Sequence, residues 1–211
     1  MTQLFVDIET LPGPTMPNLD DIAAPKNYKN AEKILAYKED NQEKLWKKEA
    51  LLSHKGRILC IGYAINDEPV QCLYDGWSDE EALMKKFNTA LSSIHDNVDW
   101  IGKSTQFDCM FLYQRAVKYK CASVLAHLNP TTRQNIKDIT WDFGRFLDYR
   151  YMVSLDDMAH FFNVESSKEI MRGSEVFDYW MAGKHALIEK YNKADVELTR
   201  ILYNKIVHGI G

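Results

Sequence analysis

The chain has 211 residues, of which 45% are apolar, 27% charged and 12% aromatic. This length and composition suit one domain with a sizeable hydrophobic core, and they exclude a disordered or low-complexity chain. The formal charge of −4 excludes a protein that coats nucleic acid through bulk charge. It does not exclude a nucleic-acid enzyme, because an acidic metal site is compatible with such a total.

The first predicted elements are a short strand and a long loop. Leu4-Phe5-Val6 predicts a strand that ends in Asp7-Ile8-Glu9. Four of the six prolines then lie between Pro12 and Pro25, and this predicts a loop.

The next segment, residues 28–52, predicts two helices. A helix-start signal at Asp40 places a break near Asn41. The segment from Lys26 to Arg57 contains nine Lys or Arg and five Asp or Glu residues, so its charge is +4 and the rest of the chain carries −8. We therefore interpret about 13–56 as a basic helical insertion.

The remainder of the chain alternates strands and helices. The predicted strands are Arg57–Asn66, Val70–Tyr74, Val98–Gly102 and Ile139–Asp142. The predicted helices are Asp79–Ile94 with a capping box from Ser78 to Glu81, Phe107–Lys120, a helix capped by Ser154, and His185–Val207. This order predicts one α/β domain over 1–211, with a sheet covered by helices on both faces.

The cysteines and the apolar runs bear on the compartment. Cys60, Cys72, Cys109 and Cys121 show no CxxC pairing and no tight cluster. With no signal peptide in view, they predict buried free thiols in a reducing compartment. No apolar run approaches membrane-spanning length. We therefore expect a cytoplasmic protein without a membrane partner.

Two carboxylates end the first strand. Asp7 and Glu9 are separated by one residue, so both side chains point to the same face. Adjacent carboxylates repel and are costly to desolvate unless a cation holds them, and Mg²⁺ and Mn²⁺ prefer such oxygen ligands. For a single D-x-E motif, however, two solvated acids at a surface strand end are the commoner arrangement.

Two further acids lie near predicted helices. Asp108 follows the strand ending at Gly102, at the strand-to-helix position where α/β proteins build sites, although a first-turn acid also favours the helix dipole. Asp195 shares a helix face with Tyr191, one turn earlier. Tyr191 could orient or deprotonate a water beside a metal on Asp195, and a half-buried Tyr beside a solvated Asp is the commoner reading of one pair.

These motifs occur together and in order. The chain resembles the DEDDy branch of the DEDD 3′–5′ exonuclease superfamily, which includes the proofreading domains of family A and B DNA polymerases. It is most similar to stand-alone exonucleases related to the family B proofreading domain, often found in phages and bacteria. The matching segments are Phe5–Thr10, Gly102–Asp108 and Tyr191–Asp195.

The spacing before the last acid favours the DEDDy branch. The DEDDh branch has His five residues before the last Asp, and here that residue is Lys190, whereas Tyr191 lies four before Asp195. The chain departs from the family in having Lys103 and Ser104 where relatives have an Asn-containing pair that positions the 3′ end. Lys103 could instead pair with a phosphate or point to solvent.

The resemblance implies a ribonuclease H-like, three-layer αβα fold around a mixed five-stranded sheet. It also implies two divalent metal ions, Mg²⁺ or Mn²⁺. Asp7 would bridge both ions, Glu9 and Asp195 would complete the site of the attacking water, Asp108 would serve the second ion, and Tyr191 would align the water. The expected substrate contacts are Thr10, Leu11, Lys103, Ser104 and Phe107, although core roles for Leu11 and Phe107 are the simpler interpretation.

The implied activity is hydrolysis of single-stranded DNA from its 3′ end to 5′-mononucleotides, with a replication or recombination protein as a partner in trans. An exoribonuclease is the nearest alternative, and a catalytically weak DNA-end-binding module is another. A third alternative is an interaction protein that uses the 28–52 helices.

A separate hypothesis is that lysines of the insertion bind the phosphates along a single strand, although a solvated helix face is the commoner interpretation. These lysines are Lys26, Lys29, Lys33, Lys44, Lys47 and Lys48.

Overall fold

The computed structural model describes residues 1–74, 79–128, 135–144 and 153–209. The chain divides into two compact units. We call Met1–Glu9 with Ile58–Gly211 the sheet unit, and Thr10–Arg57 the helical unit.

The described strands form one five-stranded mixed sheet. They are Thr2–Leu11 (β1), Arg57–Ile65 (β2), Gln71–Tyr74 (β3), Val98–Gly102 (β4) and Ile136–Asp138 (β5). The spatial order is β3-β2-β1-β4-β5. β4 pairs in parallel with β1 and with β5, whereas β2 and β3 are antiparallel. The carboxyl ends of β1, β4 and β5 therefore meet at the same edge of the sheet.

Eight α-helices lie in the described part of the chain. They are Ala31–Lys48 (α1), Glu80–Leu91 (α2), Thr105–Lys118 (α3), Ala122–His127 (α4), Ile139–Phe143 (α5), Leu155–Phe161 (α6), Val176–Met181 (α7) and His185–His208 (α8). None of these helices is both long and apolar enough to cross a membrane.

The sheet unit has a hydrophobic core on each face of the sheet. Alternate residues of β1 point to opposite faces. Leu4 and Val6 pack with residues of α2, α3 and α4, whereas Phe5 packs with residues of α5, α6 and α8. This three-layer arrangement confirms the expected ribonuclease H-like α/β fold.

Several predicted elements are confirmed within a few residues. β2, β3, β4, α3 and α8 lie close to their predicted positions, and Ser154 forms the expected capping box with Asp157 at the start of α6. The four cysteines are free thiols, and all but the half-buried Cys72 are buried. The short helices α4 and α7 were not predicted.

The predicted break near Asn41 is wrong, because α1 is continuous from Ala31 to Lys48. The Asn41 side-chain amide donates to the carbonyl oxygen of Tyr37 at 2.8 Å. Asn41 therefore bonds within the helix, one turn back, and does not cap a new one.

The predicted strand at Ile139–Asp142 is also wrong, because this segment forms α5. The strand is three residues earlier, and the Asp138 carboxylate accepts from the Thr140 N–H at 2.9 Å. This N-cap ends β5 and begins the helix at once.

The cap of α2 also differs from the prediction. Asp79 accepts from the Ala82 N–H at 2.8 Å, and Ser78 lies outside the described residues.

In the helical unit, α1 is attached to the preceding loop by side chains of its second half. The Trp46 indole N–H donates to the Gly13 carbonyl at 2.8 Å, and the Gln42 amide donates to the Pro17 carbonyl at 2.9 Å. No side chain of α1 is buried. Hydrogen bonds to the loop, more than a deep apolar core, therefore hold this helix.

A buried ion pair joins three elements of the sheet unit. One Glu80 oxygen accepts from the Ile58 N–H and from Arg115 Nε, both at 2.8 Å, and the other accepts from the Tyr119 hydroxyl at 2.9 Å. The side chains of Glu80 and Arg115 are 4% and 9% exposed. Removal of either partner would leave a buried charge without its counter-ion.

We expect Glu80→Ala to lower the free energy of unfolding by about 3–5 kcal/mol, the usual cost of breaking a buried ion pair. Urea denaturation provides the measurement. The neighbouring Glu81→Ala is the control, because Glu81 is exposed and should change stability by less than about 0.5 kcal/mol. Equal effects of the two substitutions would contradict the role of the ion pair.

Candidate active site

Asp7 and Glu9 lie past the end of the neighbouring parallel strand. β4 pairs with β1 only from Thr2 to Phe5, so the next residues of β1 extend beyond that strand. Gly102, at the end of β4, lies so close that a Cβ atom there would meet the Val6 carbonyl oxygen at 2.9 Å. The glycine therefore permits the close approach of the two strands beside the acids.

Helix α8 brings a third carboxylate to this edge. Ligand atoms of Asp7, Glu9 and Asp195 all lie within 4.8 Å of one another. Among the described residues, this is the one group of three or more His, Cys, Asp or Glu side chains close enough to hold a metal ion. The close packing of α8 depends on Gly62 of β2, because a Cβ atom there would lie 2.3 Å from Asn192 Oδ1.

The fourth acid, Asp108, is held in the first turn of α3. It is 3% exposed, and its carboxylate accepts from the Ile8 N–H at 3.3 Å, between the two acids of β1. The start of α3 is fixed to β5 by Thr105, whose hydroxyl donates to the Lys137 carbonyl at 2.7 Å. The expected position of Asp108 beside the strand end is therefore present in the structure.

Ser104 precedes α3 in a left-handed backbone conformation, with φ 59° and ψ 34°. This conformation is favoured by Gly and Asn and is costly for most other residues. Because the resemblance places Asn near this position, the backbone retains a conformation that suits Asn although the side chain is Ser.

Asn192 was not recognised from the sequence, although it directly follows Tyr191. Its side-chain amide donates to Asp7 Oδ2 at 2.8 Å and to the Asp7 carbonyl at 3.2 Å. Asn192 is fully buried, so it fixes the orientation of Asp7 relative to α8. Its position one residue after the Tyr of the motif is the only signal that could have indicated it.

Lys168 was also not recognised, and no motif contains it. It lies in a 3₁₀ turn, Ser167–Glu169. Its ammonium group donates to the Tyr191 hydroxyl at 3.1 Å and lies 5.4 Å from the centroid of the same ring. The phenol oxygen is therefore an acceptor for Lys168, and a hydrogen bond with the Asp195 side chain contributes to the raised pKa of the phenol.

The four acids share raised pKa values. Burial raises the pKa of Asp7, Glu9, Asp108 and Asp195, and repulsion from neighbouring carboxylates raises the first three further. The Lys168 charge opposes the rise in the pKa of Asp7, Glu9 and Asp195. These groups therefore resist ionisation together unless further positive charge is supplied.

Tyr191 is 2% exposed. Burial raises its pKa far above the ordinary value of tyrosine, and the charges of Asp195 and Glu9 raise it further. The phenol therefore keeps its proton over the working pH range. In the metal-free site this protonation favours a role in orienting a water molecule over removal of its proton.

The expected substrate contacts lie in different environments. Lys103 is half-buried, and its charge opposes the rise in the pKa of Asp7 and Asp195. It therefore belongs to the same electrostatic site.

Phe107 is half-buried, and the centroid of its ring lies 4.9 Å from that of Phe111. Thr10 and Leu11 belong to the helical unit, where the Thr10 hydroxyl donates to the Ala50 carbonyl at 2.7 Å and Leu11 is fully buried.

A mixed sheet with converging acids at one edge is typical of nucleases with a ribonuclease H-like fold. Residues 54–211 match the family described as "Predicted 3'-5' exonuclease related to the exonuclease domain of PolB". The chain belongs to this family, and it is a nuclease of the exonuclease class. No curated protein matches the chain. The matched range contains Asp108, Tyr191 and Asp195, whereas Asp7 and Glu9 precede it and join the site through geometry.

The donor set fits hard divalent cations. All four acids supply oxygen, the ligand type that Mg²⁺ and Mn²⁺ prefer. Within the described residues, the buried Asp195 Oδ1 has no hydrogen-bond partner. A buried carboxylate oxygen without a donor is costly, and a cation would satisfy it.

The raised pKa values predict a dependence of stability on pH in metal-free buffer. A carboxyl group whose pKa is higher in the folded state stabilises the fold at low pH, and this contribution is lost as pH rises through the folded pKa. We therefore expect Glu9→Gln to become more stable relative to the natural chain as pH increases from about 5 to about 8, by about 1.4 kcal/mol per unit of pKa shift removed. Urea denaturation in EDTA measures this difference.

The exposed Glu81→Gln is the matched control, because it makes the same substitution outside the group of buried carboxylates. A Glu9→Gln difference that is constant across the same range would contradict the buried repulsion described above.

Proposed function

We propose that this nuclease hydrolyses single-stranded DNA from the 3′ end and releases 5′-mononucleotides, as a metal-dependent enzyme of the DEDDy branch. The observation that carries the proposal is the convergence of Asp7, Glu9 and Asp195 oxygens within 4.8 Å, with Asp108 and Tyr191 beside them. DNA is proposed because the motifs resemble those of polymerase proofreading domains.

The acids would hold two Mg²⁺ or Mn²⁺ ions. Glu9 and Asp195 would hold one ion, Asp108 would serve the other, and Asp7 would contact both. When bound, such ions stabilise the negative charge on the attacking and leaving oxygens of a phosphodiester. The raised pKa values of the acids support this assignment, because an uncompensated set of buried carboxylates needs positive charge.

Tyr191 would orient the attacking water. Its phenol accepts a hydrogen bond from Lys168 at 3.1 Å and interacts with the Asp195 side chain, so it lies beside a carboxylate that would hold the ion of the attacking water. Because the pKa of Tyr191 is far above its ordinary value, the phenol contributes by position and not by proton removal. Lys168 is a positioning residue, since it acts on the water through Tyr191.

Lys103 would contact a phosphate of the substrate. Its charge already acts on Asp7 and Asp195, and an ammonium group is a suitable partner for a phosphate. The resemblance supports Thr10, Leu11, Ser104 and Phe107 as further substrate contacts. It also supports an exonuclease domain over 1–211 with an insertion at about 13–56, and a replication or recombination partner in trans.

Incubation with 5′-labelled single-stranded DNA should give a ladder that shortens from the 3′ end with Mg²⁺ or Mn²⁺, because the acids need a cation to act. The ladder should be absent with EDTA and absent for Asp7→Ala. Denaturing gels measure the ladder, and chromatography should identify 5′-mononucleotides as the product.

A labelled RNA of the same sequence distinguishes the alternatives. Faster shortening of RNA would replace the DNA assignment with an exoribonuclease. Retained binding to 3′ ends, with neither substrate shortened under any metal condition, would contradict the enzyme and favour an end-binding module.

Tyr191→Phe should lower kcat about 100-fold with little change in KM, because it removes a group that positions the water. The shape of the pH–rate profile should stay the same, since the phenol does not titrate in this range. Tyr113→Phe is the matched control, because Tyr113 is half-buried and packs against the core that contains Leu4 and Val6. A changed profile would indicate that Tyr191 acts as a base.

Lys168→Gln tests whether Lys168 acts through Tyr191. A positioning role predicts that the losses in kcat of Tyr191→Phe and Lys168→Gln combine to less than their sum in the double variant, because part of the Lys168 effect passes through the phenol and the rest through its charge on the acids. Additive losses in kcat would show instead that Lys168 acts independently of the phenol.

A further inference from the structure

Lysines are concentrated around the amino end of α1. Residues 26–33 contain three lysines and one glutamate, and Asn30 caps the helix by accepting from the Lys33 N–H at 3.1 Å. The amino end of a helix has a partial positive charge, so cations there are unfavourable. Glu32 in the first turn offsets part of this field, and Lys29 and Lys33 give the segment a positive surplus that an anion would relieve.

A cavity of about 700 Å³ lies at this helix end. Two aromatic side chains, two lysines and the capping residue line it, and Asp40 is the one acid among its described lining residues. The Tyr28 and Tyr37 rings lie 5.6 Å apart at an interplanar angle of 75°. The cavity thus places cationic groups next to flat apolar rings.

The helical unit itself does not cover this surface. No side chain of α1 is buried over its 18 residues, and every residue from Lys26 to Lys33 is exposed. The long helix is consequently available to a ligand along this end. Charge complementarity requires that the ligand be anionic, and the rings favour one with aromatic faces.

We propose that the helical unit contains a binding site of its own for single-stranded nucleic acid. Lys29 and Lys33 bind phosphates of the strand, and the rings of Tyr28 and Tyr37 stack with unpaired bases. Single strands expose base faces that a duplex hides, and stacking with phosphate contacts is the usual mode of binding them. This function is additional to cleavage and is measured without it.

Fluorescence anisotropy in EDTA tests the proposal with labelled oligodeoxythymidylate of about 20 nucleotides, longer than most single-strand-binding folds cover. The double variant Lys29→Ala with Lys33→Ala should bind about tenfold more weakly at physiological salt, and the slope of log affinity against log salt should fall by about 1.4. Tyr28→Ala should weaken binding by about fivefold or more without changing this slope.

The comparison variant is Lys44→Ala with Lys48→Ala, which removes the same charge from exposed positions in the second half of α1. It should weaken binding distinctly less than the first double variant. Circular dichroism confirms that each variant keeps its helix content.

Equal losses for the two double variants would overturn the proposal in favour of a general basic face, and no loss for either would overturn it outright. Thymidine 5′-monophosphate has the same phosphate and base as the oligonucleotide. Its affinity therefore tests whether the site prefers a free nucleotide to a strand. Tighter binding of the mononucleotide than of the oligonucleotide would overturn the strand assignment. These measurements do not depend on hydrolysis, so they stand apart from the test of the nuclease.

Discussion

Mutual repulsion among buried carboxylates is the constraint on which the active-site edge of the sheet depends. Asp7, Glu9, Asp108 and Asp195 have pKa values raised by burial, so the fold holds together groups that would separate in water. The cores on both faces of the sheet supply the opposing free energy. Parallel pairing of β1 with β4 and the packing of α8 fix the positions of the acids, and they leave little room for relaxation.

Neutral and positive side chains reduce this repulsion without removing it. Asn192 orients Asp7, and Lys168 and Lys103 place two positive charges near the acids. Four carboxylates against two lysines leave a negative surplus. The surplus is the physical reason that a divalent cation suits this site.

The four acids and Tyr191 could be proposed from the sequence because their short motifs occur together in the order of the DEDDy branch, although each motif alone is more common as an ordinary acid or tyrosine. Asp7 and Glu9 share a face at a spacing of two residues in a strand, and Tyr191 and Asp195 share one at a spacing of four in a helix. Lys168 could not be predicted in this way, because its 3₁₀ turn approaches the site only through tertiary packing. The α5 segment was assigned wrongly because a short apolar run does not distinguish a strand from a helix.

The two units have unfavourable charge distributions of opposite sign, and nucleic acid with bound cations would neutralise both. The sheet unit concentrates buried negative charge around Asp7, which favours a divalent cation. The helical unit has Lys29 and Lys33 at a helix end that already carries partial positive charge and that Glu32 offsets only in part, which favours an anion. A chain selected only for stability would avoid both arrangements, since each costs free energy in the unliganded state. Their presence in one nuclease is therefore better explained by the polyanion that it binds than by the fold.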